Sequence, residues 1–285
     1  MKSTSPTKLL AIIESDKVAS IISEAYFFII IFALIYWCFN KKSALFIAST
    51  YFTSSIICLS LKDICRIERP IKDENIRFLS LDNIFINTKD LAYTYSFPSK
   101  SASVASSILT GIGLHFKNKK VWIGAIILSI LVSMSRIYLG TSWLIDVIIG
   151  VLIGLIVVYL LYKLLLILKE KDIFVYLVLT LLALIALIFL KDEIEYKIFG
   201  ALLGGVVGLI IERKFISFDP TIGAPWKKIV RLILGLVLVI LLKEGLKYIF
   251  SLSFGEVYIF HIIRYFIVAI FVVAIYPLIF KMIKL

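Results

Sequence analysis

Apolar residues recur along the chain in nine stretches, near 24–40, 43–61, 98–114, 121–139, 143–163, 173–190, 196–211, 229–249 and 258–280, parted by polar or charged segments. A bilayer-spanning helix needs roughly 20 mostly apolar residues, and runs of this length and density read as membrane helices. The chain is therefore expected to be all-α, a polytopic integral membrane helical bundle. Several stretches are short for a full crossing, which leaves the count open by about one. Residues 1–23 carry charges throughout and lack a small-residue cleavage site, so they do not read as a signal peptide. Leu9, Leu10, Ile12, Ile13, Ile21 and Ile22 predict instead an amphipathic helix lying in the interface.

Composition agrees: 61% of the 285 residues are apolar. The net charge of +12 reads as membrane orientation, not nucleic-acid binding, because Lys and Arg gather in cytoplasmic loops. Lys41-Lys42, Lys117/Lys119/Lys120, Lys163/Lys169/Lys171, Arg213/Lys214/Lys227/Lys228 and Lys281/Lys284 fall on one side. The charge-balanced stretch 62–98 and the 191–197 loop fall on the other. This places the N-terminus outside and the C-terminus in the cytoplasm, in a membrane compatible with a bacterial plasma membrane. Cys38, Cys58 and Cys65 show no metal-ligand spacing and imply no disulfide framework. Gly200, Gly204 and Gly208 recur every four residues, as expected for close helix packing through small residues. The segment 71–96 is the one long polar stretch, either a lid or a plain cover over helix ends.

Three short segments carry chemistry: 62–70, 97–101 and 135–146. Lys62 and Arg69 are about two helical turns apart, which predicts two cations on one face of a helix leaving the membrane, ended by Pro70. Pro98-Ser99 precedes an apolar run, as at a helix start. A helix N-terminus is itself an anion site, so Ser99, Lys100 and Ser101 are placed to meet a phosphate. Arg136 lies near the outer end of the fourth helix and Asp146 inside the start of the fifth. An ionisable group at membrane depth is costly and is expected to be paired or functional. Ser142 and Asp146, four apart, are expected on one helical face.

Taken together, the segments resemble the signature of the type-2 phosphatidic acid phosphatase and vanadium haloperoxidase superfamily: K-x6-R-P, then P-S-G-H, then S-R-x5-H-x3-D. The resemblance covers roughly residues 24–165, and a softer one, to members with extra C-terminal helices, covers the stretches around Gly200–Lys214 and Trp226–Lys247. The chain is expected to divide into the interfacial N-terminal helix over 1–23, a six-helix core over 24–192, which the resemblance makes phosphatase-like, and further transmembrane helices over 193–285. The resemblance also implies phosphate-binding roles for Lys62, Arg69, Ser99 and Arg136, with Asp146 orienting the nucleophile. Lys100 stands where the pattern has glycine. At the two catalytic histidine positions the chain has Ser142 (nucleophile) and Ser101 (acid). A serine hydroxyl is no general acid near neutral pH, and losing such an acid costs about 10²–10⁴ in rate. The expectation is an outward-facing cradle that binds a phospholipid or polyprenyl phosphate without phosphohistidine catalysis, using no metal and no cofactor. Two other readings stand beside it: an active phosphatase or phosphotransferase using Ser142 and Lys100, and a structural or partner-binding protein with relic motifs.

Overall fold

The computed structural model describes residues 25–70, 95–168, 172–190, 193–254 and 258–283. The helix expected over 1–23 and most of the lid-or-cover segment lie outside them. The described residues form nine helical runs and no strand: α1 (Ala25–Cys38), α2 (Lys41–Cys65), α3 (Lys100–Phe116), α4 (Lys119–Tyr138), α5 (Leu144–Leu168), α6 (Asp172–Leu190), α7 (Glu193–Ile216), α8 (Pro225–Phe254) and α9 (Ile259–Met282). The protein is an all-α polytopic membrane protein.

Six of the runs, α2, α4, α5, α6, α7 and α9, are long and apolar enough to cross a bilayer. This is fewer than the nine apolar stretches. The 17 residues of α3 reach only about 26 Å at ~1.5 Å per residue, short of a ~30 Å hydrocarbon core. α8 is interrupted by Arg231, Lys243 and Glu244, and the apolar part of α1 is the short Phe27–Cys38.

The chain divides into two compact units, one formed by residues up to Ile29 with Ile57–Leu160, the other by Ile30–Ile56 with the residues from Leu161 on. In the first unit α3 and α4 form a hairpin. Lys117, left-handed at φ 48°, closes α3 by donating its N–H to the Gly113 carbonyl, and Asn118 then caps α4 by accepting from the Lys120 N–H. Ala105, Leu109, Ala125 and Val132 pack between the pair, flanked by Ile112 and Leu128. α5 crosses α3 so closely that only glycine fits. A methyl on Gly150 would strike the Ser99 carbonyl oxygen, and one on Gly154 the Ser103 carbonyl and the Ser106 hydroxyl.

In the second unit α7 packs on α9 through Gly200, Gly204 and Gly208, which face Ile262, Phe266 and the 270–273 stretch. The close packing expected of these glycines is observed. α9 contains a π turn over Phe271–Ile275. There the Tyr276 N–H bonds the Phe271 carbonyl, and Pro277 has no N–H to offer, so the Val272 and Val273 carbonyls lose their helical partners. The α1 side chains supply replacements: Trp37 Nε1 donates to Val272 at 2.9 Å and the Tyr36 hydroxyl to Val273 at 3.2 Å. Arg231 of α8 donates to the Trp37 carbonyl at 2.7 Å, and Tyr276 donates to the Arg231 carbonyl at 2.6 Å.

Candidate functional site

All the motif residues belong to the first unit, and their positions follow from three local devices. The first ends α2. The helix stops at Cys65, where Arg66 takes φ 51° and donates its N–H to the Lys62 carbonyl. Lys62 is therefore on the last helical turn and Arg69 in the non-helical segment beyond it, not on one continuous helical face. The left-handed Arg66, and not Pro70, is the break. Ser96 pins the released segment, its N–H and hydroxyl donating to the Ile67 carbonyl and its hydroxyl also to Glu68. Lys62 Nζ reaches the same strand of chain, donating to the carbonyls of Tyr95 at 2.7 Å and Ser96 at 2.8 Å.

The second device starts α3. After the cis Phe97–Pro98 peptide, Ser99 takes the N-cap position with extended backbone (φ −72°, ψ 102°). Its hydroxyl makes no capping bond; its N–H instead donates to the Asp146 carbonyl at 2.9 Å. This bond and the contact at Gly150 tie the head of α3 to the head of α5.

The third device turns α4 into α5. Gly140, at φ 64°, gives its N–H to the Ile137 carbonyl, while Thr141 gives its N–H to Arg136. This bond pair is the helix ending that a left-handed glycine allows. It brings Thr141 and Ser142 back over Arg136, whose carbonyl also accepts from the Ser142 N–H and the Thr141 hydroxyl. Arg69 Nη1 then donates to the Thr141 carbonyl at 2.5 Å. α5 begins only at Leu144, so Ser142 lies in the turn before the helix and does not share a helical face with Asp146. Asp146 is the third residue of α5, and its Oδ2 accepts the Trp143 N–H at 2.8 Å. That is the reach-back arm of a capping box, and it places a negative charge where the helix dipole favours one.

These devices bring Lys62, Arg69, Ser99, Lys100, Ser142 and Asp146 together, with the Arg136 carbonyl bonded to Thr141 and Ser142. Ser99, Ser142 and Asp146 are buried, and Lys62, Arg69, Lys100, Ser101 and Arg136 are partly buried. The charges of Arg69, Lys100 and Asp146 act on Lys62, and that of Asp146 on Arg69. Burial pulls Arg69 down to about 10, with Asp146 opposing the fall, so the guanidinium stays charged at neutral pH. The Ser142 hydroxyl donates to Ser99 Oγ at 3.4 Å, and among the described residues Asp146 Oδ1 has no hydrogen-bond partner. Of the two partners expected for Asp146, Ser142 or a neighbouring cation, Ser142 makes no bond to it, while its charge acts on Lys62 and Arg69.

A model described as PAP2 superfamily matches residues 43–170, which hold all three segments. The chain belongs to the PAP2 superfamily. A second model, PAP2 superfamily phosphatase, transmembrane extension, matches residues 196–285. No curated protein and no solved structure matches the chain. For a PAP2 member the histidine inventory is notable: the chain has only His115 and His261. His115 is fourteen residues past Ser101 at the opposite end of α3, about 21 Å away along the helix at ~1.5 Å per residue. His261 belongs to the second unit, bonded to Glu193 at 3.3 Å and Arg264 at 3.0 Å.

Three residues that position the site carried no motif signal: Ser96, Thr141 and Trp143. Trp143 Nε1 donates to the Glu68 carbonyl at 3.0 Å, tying the segment that bears Arg69 to the head of α5. Hydroxyl and indole donors flanking the motif residues are the one feature of the sequence that points to them.

Proposed function

We propose that this PAP2 superfamily member binds a lipid phosphate, a phospholipid or polyprenyl phosphate, in a cradle of Lys62, Arg69, Ser99, Lys100 and Arg136 facing the extracytoplasmic side. In this reading it has lost phosphohistidine chemistry. Residues 24–192 act as the phosphatase-like core and 193–285 as the added transmembrane part, in a bacterial plasma membrane. The observation that carries the reading is the state of Asp146. Its Oδ1 is buried without a hydrogen-bond partner among the described residues, beside the serine that replaces the family's nucleophilic histidine. The cations favour a doubly charged phosphate, and the N-terminal end of α3 adds to that preference. Among the described residues the buried Ser142 hydroxyl bonds only another serine hydroxyl, and a serine nucleophile with no base bonded to it is weak.

The test is phosphate release by the purified full-length protein from phosphatidic acid, phosphatidylglycerol phosphate and polyprenyl diphosphate. The wild type is expected to stay at background. Lys100→Gly, Ser101→His and Ser142→His together are expected to restore turnover, with Asp146 Oδ1 accepting from the new imidazole. Wild-type turnover abolished by Ser142→Ala would overturn the reading in favour of a serine-based phosphatase. Binding of the same lipids should weaken about 10- to 100-fold with Arg69→Ala, the worth of a charge-assisted hydrogen bond. Unchanged binding in both Arg69→Ala and Arg136→Ala would leave the motifs as relics.

A further inference from the structure

The last turn of α7, the stretch that follows and the first turn of α8 display three large apolar side chains: Phe215, Ile222 and Trp226 are 72%, 67% and 60% exposed. They alternate with Arg213, Lys214, Lys227 and Lys228. The Lys214 and Lys227 ammonium groups stand 5.4 and 5.7 Å from the ring centroids of Phe215 and Trp226. Two acids lie among residues 212–228. Glu212 is buried and bonded to Lys41 at 2.8 Å, and the Asp219 carboxylate accepts from the N–H and hydroxyl of Thr221. The exposed charge of this stretch is therefore strongly positive.

The display is held from within the second unit. Lys41 also donates to the Phe218 carbonyl at 2.6 Å, Lys281 to Ile216 and Arg231 to Ile222 at 3.2 Å. The Phe218 ring is clamped edge-on between Tyr36 and Phe280, at 5.4 and 5.2 Å. A segment fixed in this way does not tuck its apolar tips inward. It also closes α7, a membrane-crossing helix, so it lies at headgroup depth. At that depth aromatic rings seat among the headgroups, apolar tips enter the acyl boundary, and cations meet lipid phosphates.

We propose that residues 212–228 form a docking surface for anionic phospholipid, with Phe215, Ile222 and Trp226 inserted and Arg213, Lys214, Lys227 and Lys228 selecting negative headgroups. This surface is independent of the phosphate cradle.

The experiment reconstitutes the full-length protein in vesicles containing acyl-brominated phosphatidylglycerol or, at equal mole fraction, acyl-brominated phosphatidylcholine. The fluorescence of Trp226 is taken as the wild-type signal less that of Trp226→Phe. Quenching by the anionic lipid is expected to exceed that by the zwitterionic one about fivefold, the worth of even one basic side chain near an anionic surface. At 1 M salt, where the screening length is about 3 Å, the ratio is expected to fall toward one. It is expected to do the same when the four cations are changed to Gln. Equal quenching by the two lipids in the wild type, or none by either, would overturn the proposal. A preference unmoved by salt would do so as well, and that series uses the unaltered chain, so it decides even if the fourfold variant does not fold.

Discussion

Replacing Gly150 with alanine is expected to force apart the joint between α3 and α5 on which the cradle rests. The new methyl would sit 2.5 Å from the Ser99 carbonyl oxygen, about 1 Å inside ordinary van der Waals separation. The obstacle is backbone at a helix head, so no side-chain rotation relieves it. Overpacking of this kind costs about 1–3 kcal/mol, against a gain of up to ~1 kcal/mol for replacing a helical glycine. A net loss of about 1–2 kcal/mol corresponds to a fall in melting temperature of roughly 2–6 °C for a chain of this size. The Ser99 N–H to Asp146 carbonyl bond, 2.9 Å in the native protein, lies directly beside the clash. Lipid-phosphate affinity is therefore expected to drop several-fold in parallel. Gly124, on α4, is the matched control, since an added methyl there meets nothing within 4 Å. Gly124→Ala is expected to hold or raise the melting temperature and to leave binding alone. Differential scanning fluorimetry of both variants in one detergent, followed by a lipid-phosphate titration, decides the matter. If Gly150→Ala proved as harmless as Gly124→Ala on both readouts, the close crossing of α3 and α5 would be wrong.

Other substitutions separate charge from structure. Asp146→Ala removes the arm that caps α5 and is expected to cost ~1 kcal/mol of stability, seen as an earlier unfolding transition. Asp146→Asn keeps an oxygen for the Trp143 N–H but removes the negative charge beside Lys62 and Arg69, so phosphate binding should tighten several-fold. In a working phosphatase the same change would abolish turnover, which a release assay would register. Glu212→Gln leaves Lys41 facing a neutral group. Because Glu212 is 2% exposed and Lys41 28%, the loss is expected below the ~3–5 kcal/mol of a fully buried broken pair, near ~2 kcal/mol, measurable as a lower melting temperature.

The positions of the helices were readable because the bilayer demands long apolar runs, and each of the nine stretches holds a helix. The crossings were less readable. The shortfall of α3 depends on its length, and that of α8 on three charges scattered in an apolar run. At the site, the resemblance to the family signature pointed to the cations and to the two serines at its histidine positions, because such a signature is written in residue identity. What it did not give were the partners. The break at Arg66 depends on a left-handed backbone at an ordinary residue, which no composition rule marks. Gly140 was visible as a turn former, yet the return of Ser142 over Arg136 needs the full bond pattern around it. Asp146 was expected to pair with Ser142 or a neighbouring cation, and that it also caps its own helix through the Trp143 N–H is a detail residue spacing does not settle. The replacement donors for Val272 and Val273 come from residues more than 200 positions away, beyond the reach of any local pattern.

That last arrangement bears on how the protein is made. Tyr36 and Trp37 are synthesised 237 and 235 residues before the carbonyls that satisfy them. Until then the nascent chain carries an indole and a phenol with their final acceptors still unmade. Docking of α1 is thus tied to the synthesis of α9, and a chain cut short before Val272 leaves Tyr36 and Trp37 without these acceptors.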